Sequence, residues 1–99
     1  MSKRQNVDWT VNLYQNAQCT GEDDPKSGAG GLGCTTGILN GSAAGFIRGY
    51  IDADCTIILY ASPDCDADGD IVEITPETAT TCMALDPQIQ SYSVECEDV

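Results

Sequence analysis

Six cysteines in 99 residues constrain this chain more than any other feature. A chain this short buries a modest share of its surface, so its core is thin and covalent staples matter. Cys19, Cys34, Cys55, Cys65, Cys82 and Cys96 read as three disulfides, which persist in oxidising compartments. Zinc is the competing use of so many sulfurs. Histidine is absent, however, and the cysteine spacings of 15, 21, 10, 17 and 14 contain no Cys-x-x-Cys pair. The expected localisation is secreted, outside the cell.

The missing histidine also removes the usual general base at neutral pH, and with it any serine–histidine or cysteine–histidine pair. No enzymatic activity is expected. Four basic residues against sixteen acidic ones make nucleic acid and anionic membranes poor partners. The charge is lopsided. Residues 1–50 hold four acids and four bases, whereas residues 51–99 hold twelve acids and no base. Excess Asp and Glu promote solubility, and they also favour a cationic partner. The longest apolar run, Ile57-Ile58-Leu59-Tyr60, is far too short to span a membrane, so no membrane insertion is expected. Met1-Ser2-Lys3-Arg4 has no apolar segment behind it and is no signal peptide; Lys3-Arg4 reads as a dibasic processing site or a frayed terminus. Residues 1–6 are accordingly set apart from a single domain over 7–99.

That domain carries an internal repeat. Trp9-Thr10-Val11-Asn12-Leu13-Tyr14-Gln15-Asn16-Ala17-Gln18-Cys19 aligns with Cys55-Thr56-Ile57-Ile58-Leu59-Tyr60-Ala61-Ser62-Pro63-Asp64-Cys65 at an offset of 46, with Thr, Leu, Tyr and Cys identical. Phe46 meets Tyr92 and Tyr50 meets Cys96 at that offset, and Cys34 meets Cys82 with two residues of slippage. The halves are 7–54 and 55–99. β-Branched and aromatic content places strands at Trp9–Tyr14, Thr35–Leu39 and Phe46–Ile51, with Gly28–Gly33 a glycine-rich loop or weak strand. Phe46, Arg48 and Tyr50 would share one face of theirs. The second half gives Thr56–Tyr60, Ile71–Ile74, Thr80–Leu85 and Gln90–Cys96. Glu22–Lys26 reads as an exposed loop. No segment has a helical period. The expected fold is all-β, two Greek-key motifs in a sandwich with an internal pseudo-twofold and three disulfides. If equivalent halves pair equivalently, Cys19 joins Cys34 and Cys65 joins Cys82. Cys55 is then left for Cys96, with Trp9 and Tyr50 packing as an aromatic pair at the matching place.

Tyr14-x-x-x-x-Cys19-x-Gly21 resembles the folded hairpin of βγ-crystallin domains, with cysteine in place of the second aromatic and a glycine where positive φ is needed. The second copy keeps Tyr60-x-x-x-x-Cys65 but has Ala67 at the glycine position, where Gly69 would serve after a local shift. Ile89-Gln90-Ser91-Tyr92-Ser93-Val94 resembles the last strand of such a motif, in which a serine tethers the hairpin; Gly45 holds that place in the first half. From Val7 to Cys96 the chain is similar to fungal small secreted cysteine-rich proteins, including crystallin-like apoplastic effectors and killer-toxin-like proteins. The resemblance implies a non-enzymatic virulence or toxin-like protein that binds a protein or cell-surface target. Inhibition of a secreted hydrolase and a calcium-binding module are the alternatives. The expected state is a monomer.

Three motifs bear on sites. Asp64-Cys65-Asp66-Ala67-Asp68-Gly69-Asp70-Ile71 matches the first eight positions of an EF-hand loop, with acids at Asp64, Asp66, Asp68 and Asp70. Position twelve is Thr75 rather than glutamate, so weak calcium binding competes with a plain acidic turn; no other cofactor is expected. Asn40-Gly41-Ser42 is a glycosylation sequon. Trp9, the sole tryptophan, is expected in the core.

Overall fold

Alternating apolar and polar residues make Trp9–Tyr14 the first strand, β1, with Trp9, Val11 and Leu13 buried. Forty-six residues later β5, Cys55–Tyr60, buries Cys55, Ile57 and Leu59 at the equivalent places but is apolar at Ile58 as well. The computed structural model describes residues 7–39, 41–66 and 68–97. In it, β2 (Asp23–Gly28), β3 (Leu32–Thr35) and β4 (Ala43–Ile51) follow β1, while β6 (Ile71–Ile74), β7 (Met83–Ile89) and β8 (Ser91–Cys96) follow β5. The described residues form no helix, so none is long and apolar enough to cross a membrane.

Two four-stranded antiparallel sheets result, in the orders β2-β1-β4-β7 and β3-β8-β5-β6. Exchanging β1 with β5, β2 with β6, β3 with β7 and β4 with β8 turns the first order into the second read backwards. The halves are thus related by a twofold in strand order, but each gives its third strand to the other's sheet. Leu13, Ile57, Leu59, Ile74 and Ile89 are fully buried between the sheets, each worth roughly 1.5–3 kcal/mol relative to exposure.

The strand exchange overturns part of the expected disulfide pairing. Because β3 pairs with β8 and β7 with β4, Cys34 and Cys82 are carried to the opposite half. Cys19 bonds Cys82, and Cys34 bonds Cys65, so neither bond stays within its own half. The two bonds still interchange under the repeat, since Cys19 corresponds to Cys65 and Cys34 to Cys82. Cys55 and Cys96 are bonded as expected, directly opposite each other at the ends of β5 and β8.

The expected Trp9–Tyr50 pair does not form either. Between its pairings with Val11 and Trp9, β4 carries one extra residue, a bulge that sets Ile51 opposite Trp9. Tyr50 is pushed outward and is 47% exposed, so the shared face expected of Phe46, Arg48 and Tyr50 ends at Arg48. Trp9 does lie in the core, 1% exposed. Its Nε1 donates to the Gly30 carbonyl at 3.0 Å, and its ring meets Tyr92 edge-on with centroids 6.3 Å apart. A Cβ at Gly28 would fall 2.6 Å from the indole, so glycine there makes room for the ring.

Asp23–Gly28, expected mostly as loop, is a full edge strand. β1 supplies its ladder along all six residues, and an edge position tolerates Pro25. On its inner side Asp24 and Lys26 form an ion pair at 3.2 Å, and Asp24 Oδ2 accepts the Leu39 N–H at 3.0 Å. β3 straddles the two segments expected at Gly28–Gly33 and Thr35–Leu39, and β7 starts three residues later than expected.

Candidate functional site

Tyr60 to Asp70 forms the hairpin loop that carries the four aspartates. Cys65 has φ of 56°, matched by 60° at Cys19, so the sharp reversal of each hairpin falls on its cysteine. The sulfur of Cys19 lies 3.6 Å from the Phe46 carbonyl oxygen and that of Cys65 lies 3.7 Å from the Tyr92 carbonyl oxygen, equivalent contacts in the two halves. Gly21 has φ of 80°, and a Cβ there would crowd Gln15 and Asn16, as the hairpin pattern requires. Gly69 takes no such conformation and has room for a Cβ, so it does not replace that glycine; Ala67 lies outside the described residues. Ser91, fully buried, donates its hydroxyl to the Ser62 carbonyl and accepts the Cys65 N–H. It is the tether expected in the second half.

Asp64, Asp66, Asp68 and Asp70 are all exposed. Asp66 Oδ1 accepts the Asp68 N–H at 2.9 Å, and the Asp66 N–H donates to Ser62 Oγ at 2.8 Å, so this carboxylate organises the turn. No three carboxylates or sulfurs among the described residues converge as a metal-ligand set. The sequon residue Asn40 lies outside the described residues, as do 1–6.

Sequence reasoning missed a trough of about 380 Å³ on the outer face of the first sheet. Pairing registers explain it. Ser27 lies opposite Thr10, and a Cβ on Gly49 would land 2.1 Å from Thr10 Oγ1, so a row of small residues crosses β2, β1 and β4. The next outward row, Pro25, Asn12 and Ile47, makes one wall, with Tyr14 beyond it. Val11, Lys26 and Arg48 form the row between, and the register turns their side chains to the inner face. There Arg48 Nε donates to the Thr78 carbonyl and Lys26 Nζ to the Gly37 carbonyl. Asn12 Nδ2 donates to Tyr14 Oη at 2.9 Å and to Asp23 Oδ2 at 3.1 Å. Asn12 Oδ1 is buried without a hydrogen-bond partner. No composition signal announces this site, because its floor is made of small residues that only strand pairing brings together.

One end of the sandwich collects acids. Asp8, Asp52, Asp54 and Glu97 line a cavity of about 450 Å³ beside the Cys55–Cys96 bond. Asp8 accepts the Gly30 N–H and Asp52 the Tyr50 hydroxyl. Inside the sandwich, burial raises the pKa of Tyr92; Lys26 opposes the shift and Asp24 adds to it. No family model matches the chain, and no curated protein or solved structure does.

Proposed function

We propose that this chain is a secreted, non-enzymatic protein of the crystallin-like effector or toxin-like kind, acting outside the cell by binding a target. The observation that carries this reading is the use of all six cysteines to clamp two interleaved halves. Such a scaffold withstands an oxidising, protease-rich setting and presents rigid surfaces, and it leaves no thiol for chemistry. Strand order supports the Greek-key part: β4 lies beside β1 and β8 beside β5, as when a fourth strand returns to the first.

The test applies the oxidised protein to microbial cultures and to host tissue. Growth arrest marks a toxin; host-cell death or lost immunity marks an effector. Reduced and alkylated protein is expected to be inert, and turnover on peptide, glycoside and ester substrates is expected to be absent. Full potency after reduction, or turnover, overturns the proposal.

A specific feature favours inhibition of a secreted hydrolase as a second reading. Thr75 to Cys82 forms a largely exposed loop held near its middle by Arg48 on the Thr78 carbonyl and at its end by the bond to Cys19. Such a loop presents itself to a protease while resisting cleavage. Incubation with secreted proteases, reading both residual protease activity and loop cleavage, separates the two readings.

A further inference from the structure

We infer that the trough on the outer face of the first sheet binds a neutral, hydroxyl-rich ligand, a stretch of glycan chain. The inference rests on the reading of this protein as one that acts by binding, and it names the chemistry of what is bound.

The strongest support comes from the internal repeat, which supplies its own control. The position equivalent to Asn12 in the second sheet is Ile58, 8% exposed and paired with Glu73 and Ser93. Thr56, the equivalent of Thr10, faces Glu95, whose long side chain stands where the first sheet has only small residues. The fold therefore accepts an apolar residue and a filled row at these places. An amide and an open trough in the first sheet are not demanded by folding.

The amide itself is incompletely matched. Its two donors are spent on Tyr14 and Asp23, while its oxygen is buried without a partner. Leaving such an acceptor unpaired is unfavourable, and native proteins rarely do so without a reason. A hydroxyl donor supplied by a ligand completes it. Because that oxygen is covered, binding requires the carboxamide to turn about its broad terminal torsion toward the trough, exchanging its Nδ2 bonds to Tyr14 and Asp23 for bonds to the ligand.

The surroundings select against anionic ligands. In a chain of net charge −12, the trough's outward-facing residues are Thr10, Asn12, Tyr14, Pro25, Ser27 and Ile47, with Asp23 at one end. An anion would meet Asp23 and the acidic remainder of the molecule; both described cations are turned inward. The phenol and proline rings offer flat faces to C–H surfaces, while Thr10, Ser27 and Asp23 offer hydroxyl and carboxylate partners. That alternation of flat apolar faces with neutral and carboxylate acceptors is the pattern a pyranose ring presents in complement.

The test is a titration of the oxidised, isotope-labelled protein, followed by amide NMR, with chitohexaose, laminarihexaose, cellohexaose and mannohexaose at millimolar concentration. At least one is expected to shift the amides of Asn12, Ser27 and Gly49 together. Tyr14→Ala removes a stacking face, and Ser27→Tyr fills the trough from an exposed edge position without deleting any contact. Each is expected to weaken binding about tenfold or more, whereas Glu73→Gln on the second sheet leaves it unchanged. Amide spectra of the variants confirm that each remains folded. No shift with any of the four probes, shifts confined elsewhere, or binding that survives both Tyr14→Ala and Ser27→Tyr overturns the inference. Cell activity retained by Ser27→Tyr would overturn the trough as the functional face while leaving the binding reading intact.

Discussion

The Ser91 hydroxyl donates to the Ser62 carbonyl at 2.6 Å, tying the start of β8 to the hairpin that carries Cys65. The same oxygen accepts the Cys65 N–H at 3.0 Å, so one buried side chain satisfies two backbone groups in a bend with no ladder of its own. The first half solves the problem differently. Gly45 stands at the equivalent place, and a Cβ there would fall 2.7 Å from the Asn16 carbonyl oxygen. Its hairpin is held by the Cys19 N–H on Asn16 O and by Asn16 Nδ2 on Thr20 Oγ1.

Ser91→Ala should therefore destabilise the protein by about 1–3 kcal/mol, the cost of leaving buried polar groups unmatched. Gly45→Ser, which copies the second half's solution into the first, should destabilise by a similar roughly 1–3 kcal/mol through overpacking against backbone. Urea unfolding of the oxidised proteins measures both. A neutral Gly45→Ser would mean that the two hairpins are interchangeable and that the close approach is not limiting.

The crossed disulfides make a sharp prediction about the connection between the halves. A protease site inserted after Ala53 and then cut should leave one species under denaturing, non-reducing conditions, because Cys19–Cys82 and Cys34–Cys65 both join the fragments. Reduction should release two. Pairing within each half would instead let the cut chain fall apart without reductant. Spanning 63 and 31 residues, the crossed bonds each contribute roughly 4 kcal/mol in the chain-entropy model.

The parts of this fold legible in the sequence are those in which one residue sets its own local conformation. The 46-residue repeat located β1 to the residue and β5 to within one, the spacing from Tyr14 to Cys19 and Gly21 marked the bend, and Ser91 marked the tether. Pairing of cysteines was not legible, because with Cys55 joined to Cys96 a repeat of equivalent halves has three symmetric solutions, one with both bonds within halves and two with both bonds crossed between them. Only the exchange of β3 and β7 decides between these, and that depends on long-range strand pairing. Asp23–Gly28 looked like a loop because its residues have low strand propensity; β1 imposes the conformation from outside. The single-residue bulge that turns Tyr50 to solvent likewise has no local signature beyond Gly49, and the trough follows from that same pairing.

Any calcium binding at the Asp64–Asp70 hairpin is expected to be no tighter than millimolar, the weak class of extracellular sites. Asp66 is the residue to test, since its carboxylate already accepts the Asp68 N–H and shapes the turn. Titration calorimetry should show weak heat for the parent chain and none for Asp66→Ala. Silence from the parent at several millimolar calcium would leave these four residues as a charged turn.

Alkaline pH should destabilise the fold through Tyr92. Burial raises its pKa above the ordinary tyrosine value, with Lys26 partly offsetting the shift and Asp24 adding to it. The sign follows from proton counting. Above about pH 10 the unfolded chain loses this proton while the folded chain retains it, so the folded state binds more protons and stability falls as pH rises. Below that pH the contribution is fully present; it is lost as pH climbs through the raised value. Tyr92 is 4% exposed and packs edge-on against Trp9, so Tyr92→Phe keeps the ring contact while removing the titrating hydroxyl. Urea melts of both proteins from pH 8 to the alkaline limit should show a shallower decline for the phenylalanine variant. Parallel declines would place the alkaline sensitivity in other groups and take Tyr92 out of the account.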